Sequence, residues 1–201
     1  MPTAADVTAG HSPFGGAPTL RDRLCDAATE LLTTQGWGRV TMARLADRVG
    51  VSRQTVYNEI GTKNDLAEVV VLRELERFMG QVTLSFDEHP DDLVAAVRAS
   101  AHRVLVYARD NALLHAVVSA THGADTELLP LLTTHSEYLL DGAKQVVGRR
   151  VAAYPVALEP EQLDACIDML VRVVLSHVMQ PSGDPERTAE DVAFVAARVL
   201  A

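Results

Sequence analysis

Thr41 and Ser52 each place a hydroxyl where it can cap a helix, and Gly50 lies between them. A chain so punctuated cannot run as one long helix here. It must make two short helices joined by a tight turn, with Gly50 free to take the positive φ that such a turn needs. Met42, Leu45, Ala46 and Val49 mark the inner face of the first, and Val56 and Ile60, four apart, mark that of the second. Arg53, Gln54, Thr55, Tyr57 and Asn58 are then left to point outward. Two capped helices around Val49-Gly50-Val51 have the dimensions of a helix-turn-helix, whose second helix enters the major groove. The outward set suits that role. Arg matches guanine O6 and N7, Gln or Asn matches adenine, and Thr or Tyr hydroxyls match phosphate oxygens. Spacing alone also fits three short helices that pack together and show a polar face to water.

The rest of the chain reads as all-α, with about nine helices. Residues 1–18 are rich in small residues, Gly and Pro, and read as a flexible arm without Lys or Arg. Thr19 and Asp22 form a T-x-x-D start, Leu24, Ala27, Ala28, Leu31 and Leu32 follow at helical spacing, and Gly36 ends the helix. Thr62 and Asp65 open a long fourth helix with Leu66, Val69, Val70, Leu72, Leu75, Phe78, Met79 and Val82 on its apolar side. Further helices are expected from Asp92 to about Asp110, from Ala112 to Ala120, from near Leu128 to Val151, from about Glu161 to Met179 and from Pro185 to Leu200. An aromatic fraction of 4% argues the same way, because strand-rich chains use more aromatic residues.

Ala27-Ala28, Leu31-Leu32, Gly36-Trp37, Val40-Thr41, Leu45-Ala46, Val49-Gly50-Val51-Ser52, Tyr57, Lys63 and Leu66 together resemble the N-terminal signature of the TetR family of repressors. The resemblance runs from Arg21 to Val69 and agrees in order and in every interval. It implies a helix-turn-helix DNA-binding domain at 19–65 and a ligand-binding and dimerisation domain at 66–201. By the same resemblance Thr41 and Arg44 stand near a phosphate at the start of the bracing helix, the Arg53–Asn58 face meets the groove, and Lys63 grips the DNA backbone; Ser52, which caps the reading helix, is counted among the DNA-binding residues. Glu59 and Ile60 depart from the family pattern, in which His or Tyr and then Phe are common. Ile60 can still fill the core, but Glu59 cannot donate to phosphate.

A net charge of −9 looks hostile to DNA, yet its distribution is uneven. Residues 1–63 hold 7 basic and 6 acidic side chains, leaving 11 basic and 21 acidic for the remainder. Residues 39–63 carry Arg39, Arg44, Arg48, Arg53 and Lys63 against Asp47 and Glu59, a mildly basic face. The helix near 161–179 is apolar nearly all round and must be buried. The resemblance pairs it with the last helix across a two-fold axis, making a homodimer through the last two helices.

The resemblance also implies an effector pocket among the middle helices. Its candidates are Phe78, Val82, Phe86, Leu105, Ala108, Leu114, Val118, Leu132, Leu139, Met169 and Val173, with Tyr107, His115, His135 or His177 as a polar anchor. So aliphatic a lining suits a lipophilic, fatty-acid-like effector. The expected function is a ligand-responsive repressor released from a palindromic operator on double-stranded DNA; the competing class is a helical lipid or small-molecule binder, or an enzyme, without operator preference. No GxSxG, Walker A or GxGxxG motif supports an enzyme, and no H-x-x-x-H, HExxH or Cys-His cluster supports a metal; no cofactor is expected. Cys25 and Cys166 stand alone and read as reduced core thiols. With no run of 18 apolar residues and no signal-peptide pattern, a cytoplasmic location without membrane contact is expected.

Overall fold

The computed structural model of the chain describes the backbone at residues 17–121 and 136–200 and the side chains of 17–116 and 139–200. Nine α-helices and one short 3₁₀ turn make up the described residues: α1 (Leu20–Gln35), the turn (Trp37–Arg39), α2 (Met42–Val49), α3 (Arg53–Ile60), α4 (Lys63–Glu88), α5 (Leu93–Arg109), α6 (Ala112–Thr121), α7 (Ser136–Val151), α8 (Pro160–Met179) and α9 (Pro185–Val199). The N-terminal arm and the expected start of the seventh helix near Leu128 lie outside the described residues.

Each early helix begins where a hydroxyl caps it. Thr19 Oγ1 accepts from the Asp22 N–H (3.1 Å) while Asp22 accepts from the Thr19 N–H (3.0 Å), and Thr62 with Asp65 repeats the arrangement at α4. Those bonds hold both carboxyls below the usual aspartate range, because each accepts from a threonine hydroxyl and backbone N–H. Gly50 adopts φ 77°, ψ 40° and ends α2, its N–H donating to the Ala46 carbonyl at 2.9 Å. Gly61 stands at φ 92°, ψ −133°, and a Cβ there would collide with the Asp65 carboxylate.

Two cores result. The first joins α1, α2, α3 and the start of α4 around the fully buried Leu24, Leu31, Leu45, Val56 and Leu66, and Leu113 of α6 packs into it. The second joins α4, α5, α7 and α8 through Val82, Phe86, Val104, Val151 and Ile167. Helix α9 lies against α5 through Val192 and Ala101. Tyr154, after α7, donates its hydroxyl to the His89 carbonyl at 2.7 Å and pins the end of α7 to that of α4. Cys25 is a buried core thiol, raised in pKa chiefly by burial. Cys166 is only partly buried, against expectation, because the face of α8 that carries it is not wholly covered.

Gly61→Ala should lower the unfolding free energy by about 1–3 kcal/mol, the cost of forcing a side chain into that backbone region. Gly80→Ala, inside α4 with open space around its Cα, should raise it by about 0.5–1 kcal/mol. Urea denaturation of the two variants checks the opposite signs.

Candidate nucleic-acid interface and buried cavity

Helices α2 and α3 meet at Gly50 with their inner residues Leu45, Ala46, Val56 and Ile60 buried, so the outer face of α3 stands clear. Arg53, Gln54, Tyr57 and Asn58 are exposed on it, Tyr57 at 50%. Ser52 Oγ accepts from the Thr55 N–H at 3.0 Å and lies 2.8 Å from the Thr55 hydroxyl, fixing the start of α3. Gln54 Nε2 donates to Asn58 Oδ1 at 2.9 Å, which aligns the two amides along one edge of the helix. Thr41 caps α2 by accepting from the Arg44 N–H (3.3 Å), and the Arg44 guanidinium donates to the Arg39 carbonyl (2.9 Å) and to Gln35 Oε1 (2.6 Å). At the first position of α4, the Lys63 ammonium stands 5.2 Å from the centre of the Trp37 ring. Ser52 caps α3, and Arg53, Gln54, Tyr57 and Asn58 stand exposed on that helix, while Thr41 and Lys63 stand at the starts of α2 and α4.

Two arginines that sequence reading passed over hold this surface. Arg23 of α1 donates to the Val49 carbonyl at 2.7 Å, and Arg21 donates to the Glu59 carbonyl at 3.1 Å. Each places a positive charge at the negative end of a short helix. Their spacing, two apart on the first helix, carries no signal in one dimension, because their partners are 26 and 38 residues away.

Among the described residues the second core borders a partly open cavity of about 370 Å³ between α4, α5, α7 and α8, with Leu113 and Leu114 of α6 and Val192 of α9 at its edges. Phe78, Val82, Phe86, Leu114 and Leu139, named above as pocket candidates, line it together with Leu75, Val104, Ala143, Leu170 and Val174. Leu105 and Ala108 are buried but lie off its wall. Met169 and Val173 correct the expectation: they point outward, 67% and 44% exposed. Helix α8 is apolar on both sides, so its sequence could not tell the inner face from the outer. Val118 and Leu132, together with His135, fall outside the described side chains.

The expected polar anchors sit elsewhere. His115 Nε2 is 2.7 Å from the Arg109 carbonyl, at the end of α5, and His177 Nδ1 is 3.0 Å from the Ser182 hydroxyl. Tyr107 faces an outer cleft lined by Thr29 and Thr33 of α1, Arg77 and Arg103. Its hydroxyl donates to buried Glu74 at 2.8 Å; burial and then that hydrogen bond push its pKa up to about 12, so it remains a donor. Glu74 also accepts from Asn111 Nδ2 and from Arg77 Nη1 (3.0 Å), and it borders both cleft and cavity. Asn111 in turn accepts from the Leu114 N–H at 2.8 Å, closing the first turn of α6. The reading of the sequence missed Glu74, although a carboxylate four residues after Val70 and four before Phe78, on the apolar stripe of α4, is a legible anomaly.

The family profile described as bacterial regulatory proteins, tetR family, matches residues 24–70, and that of the bacterial tetracycline repressor C-terminal domain matches residues 92–198. The HTH-type transcriptional regulator AlkX of Mycobacterium tuberculosis is 27% identical over 96% of this chain and 91% of its own length. The crystal structure of the TetR family repressor AlkX from a Dietzia species, implicated in biodegradation of n-alkanes, superposes with a TM-score of 0.72 at 28% identity, covering 92% of this chain and 96% of that one. SmeT, the repressor of a Stenotrophomonas maltophilia multidrug efflux pump, shares the fold at a TM-score of 0.59 and 19% identity, over 90% of both chains.

Arg23→Met keeps the packing of the arginine stem but removes the charge at the end of α2. The amide protons of Gly50 and Val51 should then exchange about five-fold faster, with helix content unchanged. Hydrogen exchange read by NMR measures this.

Proposed function

Because this chain belongs to the TetR family of DNA-binding transcriptional regulators, which are not enzymes, we propose that it is a homodimeric repressor released from a palindromic operator by a small lipophilic effector. The observation that carries this reading is the outer face of α3: Arg53, Gln54, Tyr57 and Asn58 stand exposed on a helix held at both ends, beside Lys63 over Trp37. Residues 19–65 make the DNA-binding unit in this reading and 66–201 the regulatory one. The protein acts in the cytoplasm, where its operator lies; none of the described helices is long and apolar enough to cross a membrane.

The dimer forms through α8 and α9. Met169 and Val173 of α8 and Phe194, Val195 and Val199 of α9 are large apolar side chains left exposed in the single chain. Such a patch on two adjacent helices is costly in water, and a second copy related by a two-fold axis would cover it with the same surface. Pairing sets two copies of α3 roughly 34–36 Å apart, or a multiple of it, to enter successive major grooves. The aliphatic cavity wall and the link of the Dietzia relative to n-alkanes both support a lipophilic effector.

Release follows from the run of α4. Its middle and end form part of the cavity wall at Leu75, Phe78, Val82 and Phe86, and its start carries Lys63. Arg73 donates to Asp26 (2.8 Å) and to the Asp22 carbonyl (3.2 Å), tying α4 to α1 between the two. An effector that wedges the cavity open tilts α4, and the reading helices of the dimer lose their spacing. Only a ligand that binds the tilted state better than the DNA-bound state can do this.

Tyr57→Ala and Lys63→Ala should each weaken binding to an operator duplex selected from a random pool about ten-fold at moderate salt, with circular dichroism and dimerisation unchanged. Fluorescence anisotropy reads the affinity, and wild-type values in both variants would contradict the assigned face. Phe194→Glu should turn the dimer into a folded monomer, measured by sedimentation velocity.

A further inference from the structure

Among the described residues the cavity wall carries two polar side chains, Ser100 and Glu74. Among the described residues Ser100 carries the one buried side-chain polar atom without a hydrogen-bond partner, and Ser100 stands on the cavity wall, 8% exposed. A buried helical serine ordinarily returns its hydroxyl to the carbonyl four residues back, as Ser85 does to Gln81 at 2.9 Å. Ser100 does not. An orphan hydroxyl is costly, and in a site that opens to a ligand it calls for a partner. The one charged side chain among the described residues on the same wall is Glu74, whose oxygens already accept from Tyr107, Asn111 and Arg77. Arg77 faces the outer cleft and does not reach the wall, so no described cation meets an incoming anion there.

We propose that this cavity takes a chain with an uncharged hydroxyl head, a medium-chain primary alcohol, and discriminates against the corresponding carboxylate. The proposal rests on the lipophilic-effector reading above and departs from the fatty-acid-like expectation. Ser100 Oγ has almost no accessible surface as it stands, so it must turn about its one side-chain bond toward the cavity, where the alcohol can both donate to it and accept from it. A carboxylate would lose its hydration against an aliphatic wall and face the like charge of Glu74. At about 30 Å³ per water-sized group, the cavity has room for on the order of a dozen non-hydrogen atoms. Decan-1-ol fits that size.

The test is calorimetric titration of the full chain at pH 8 with decan-1-ol and with decanoate, repeated on Ser100→Ala and Glu74→Gln. Decan-1-ol should bind at least about ten-fold more tightly than decanoate. Ser100→Ala should weaken the alcohol about five-fold without lowering the melting temperature of the free protein, since it deletes an unpaired hydroxyl. Glu74→Gln keeps acceptors for Tyr107 and Asn111 and should narrow the gap between the two ligands by about ten-fold. Decanoate binding as tightly as the alcohol, or an unchanged alcohol affinity in Ser100→Ala, overturns the proposal while leaving the lipophilic effector standing. Binding of neither chain overturns both.

Discussion

Helix α4 is the element on which the two halves of the molecule depend. Its first turns, through Leu66, Ala67 and Val70, complete the core of the helix-turn-helix, and its last, through Val82 and Phe86, complete the core around the cavity. At 1.5 Å per residue its 26 residues span about 39 Å, with no proline inside to bend them. One rigid rod therefore belongs to both cores. A change in the wall of one must be absorbed by the other or by the contacts between α4, α1 and α6.

Those contacts are polar where the rod passes from one core to the next. Arg73 is paired with Asp26, and Glu74 collects Tyr107, Asn111 and Arg77. Glu74 and Asn111 join α4 to the start of α6, whose Leu113 packs into the core of the reading head. A buried carboxylate with several donors is intolerant of small displacements, since losing any one of them leaves an uncompensated polar group. The apolar cavity ends on this cluster, which ties α4 to the start of α6.

Much of this was legible in one dimension because the signals are local. Thr19, Thr41, Ser52 and Thr62 cap the helices whose starts they announce, and Gly50 takes the left-handed turn that its place between two short helices demands. Helix existence depends on neighbours three and four residues away, which a sequence displays. The inner face of α8 was not legible: Met169 and Val173 are as apolar as Ile167 and Val174, and only the packing of α5 and α7 decides which pair is covered. Nor was Tyr107, whose partner Glu74 lies 33 residues earlier, or the bracing of α2 and α3 by Arg23 and Arg21. Side-chain pairings across such distances leave no periodic trace.

In the proposed mechanism two copies of α3 read one duplex together and are uncoupled from within. Selection of bound duplexes from a random pool, with and without decan-1-ol in the buffer, tests that claim most directly. It predicts enrichment of two inverted half-sites whose centres are about 10–10.5 base pairs, or a multiple, apart, and loss of that enrichment when the alcohol is present. Enrichment of a single unrepeated site, or of no site at all, would contradict it.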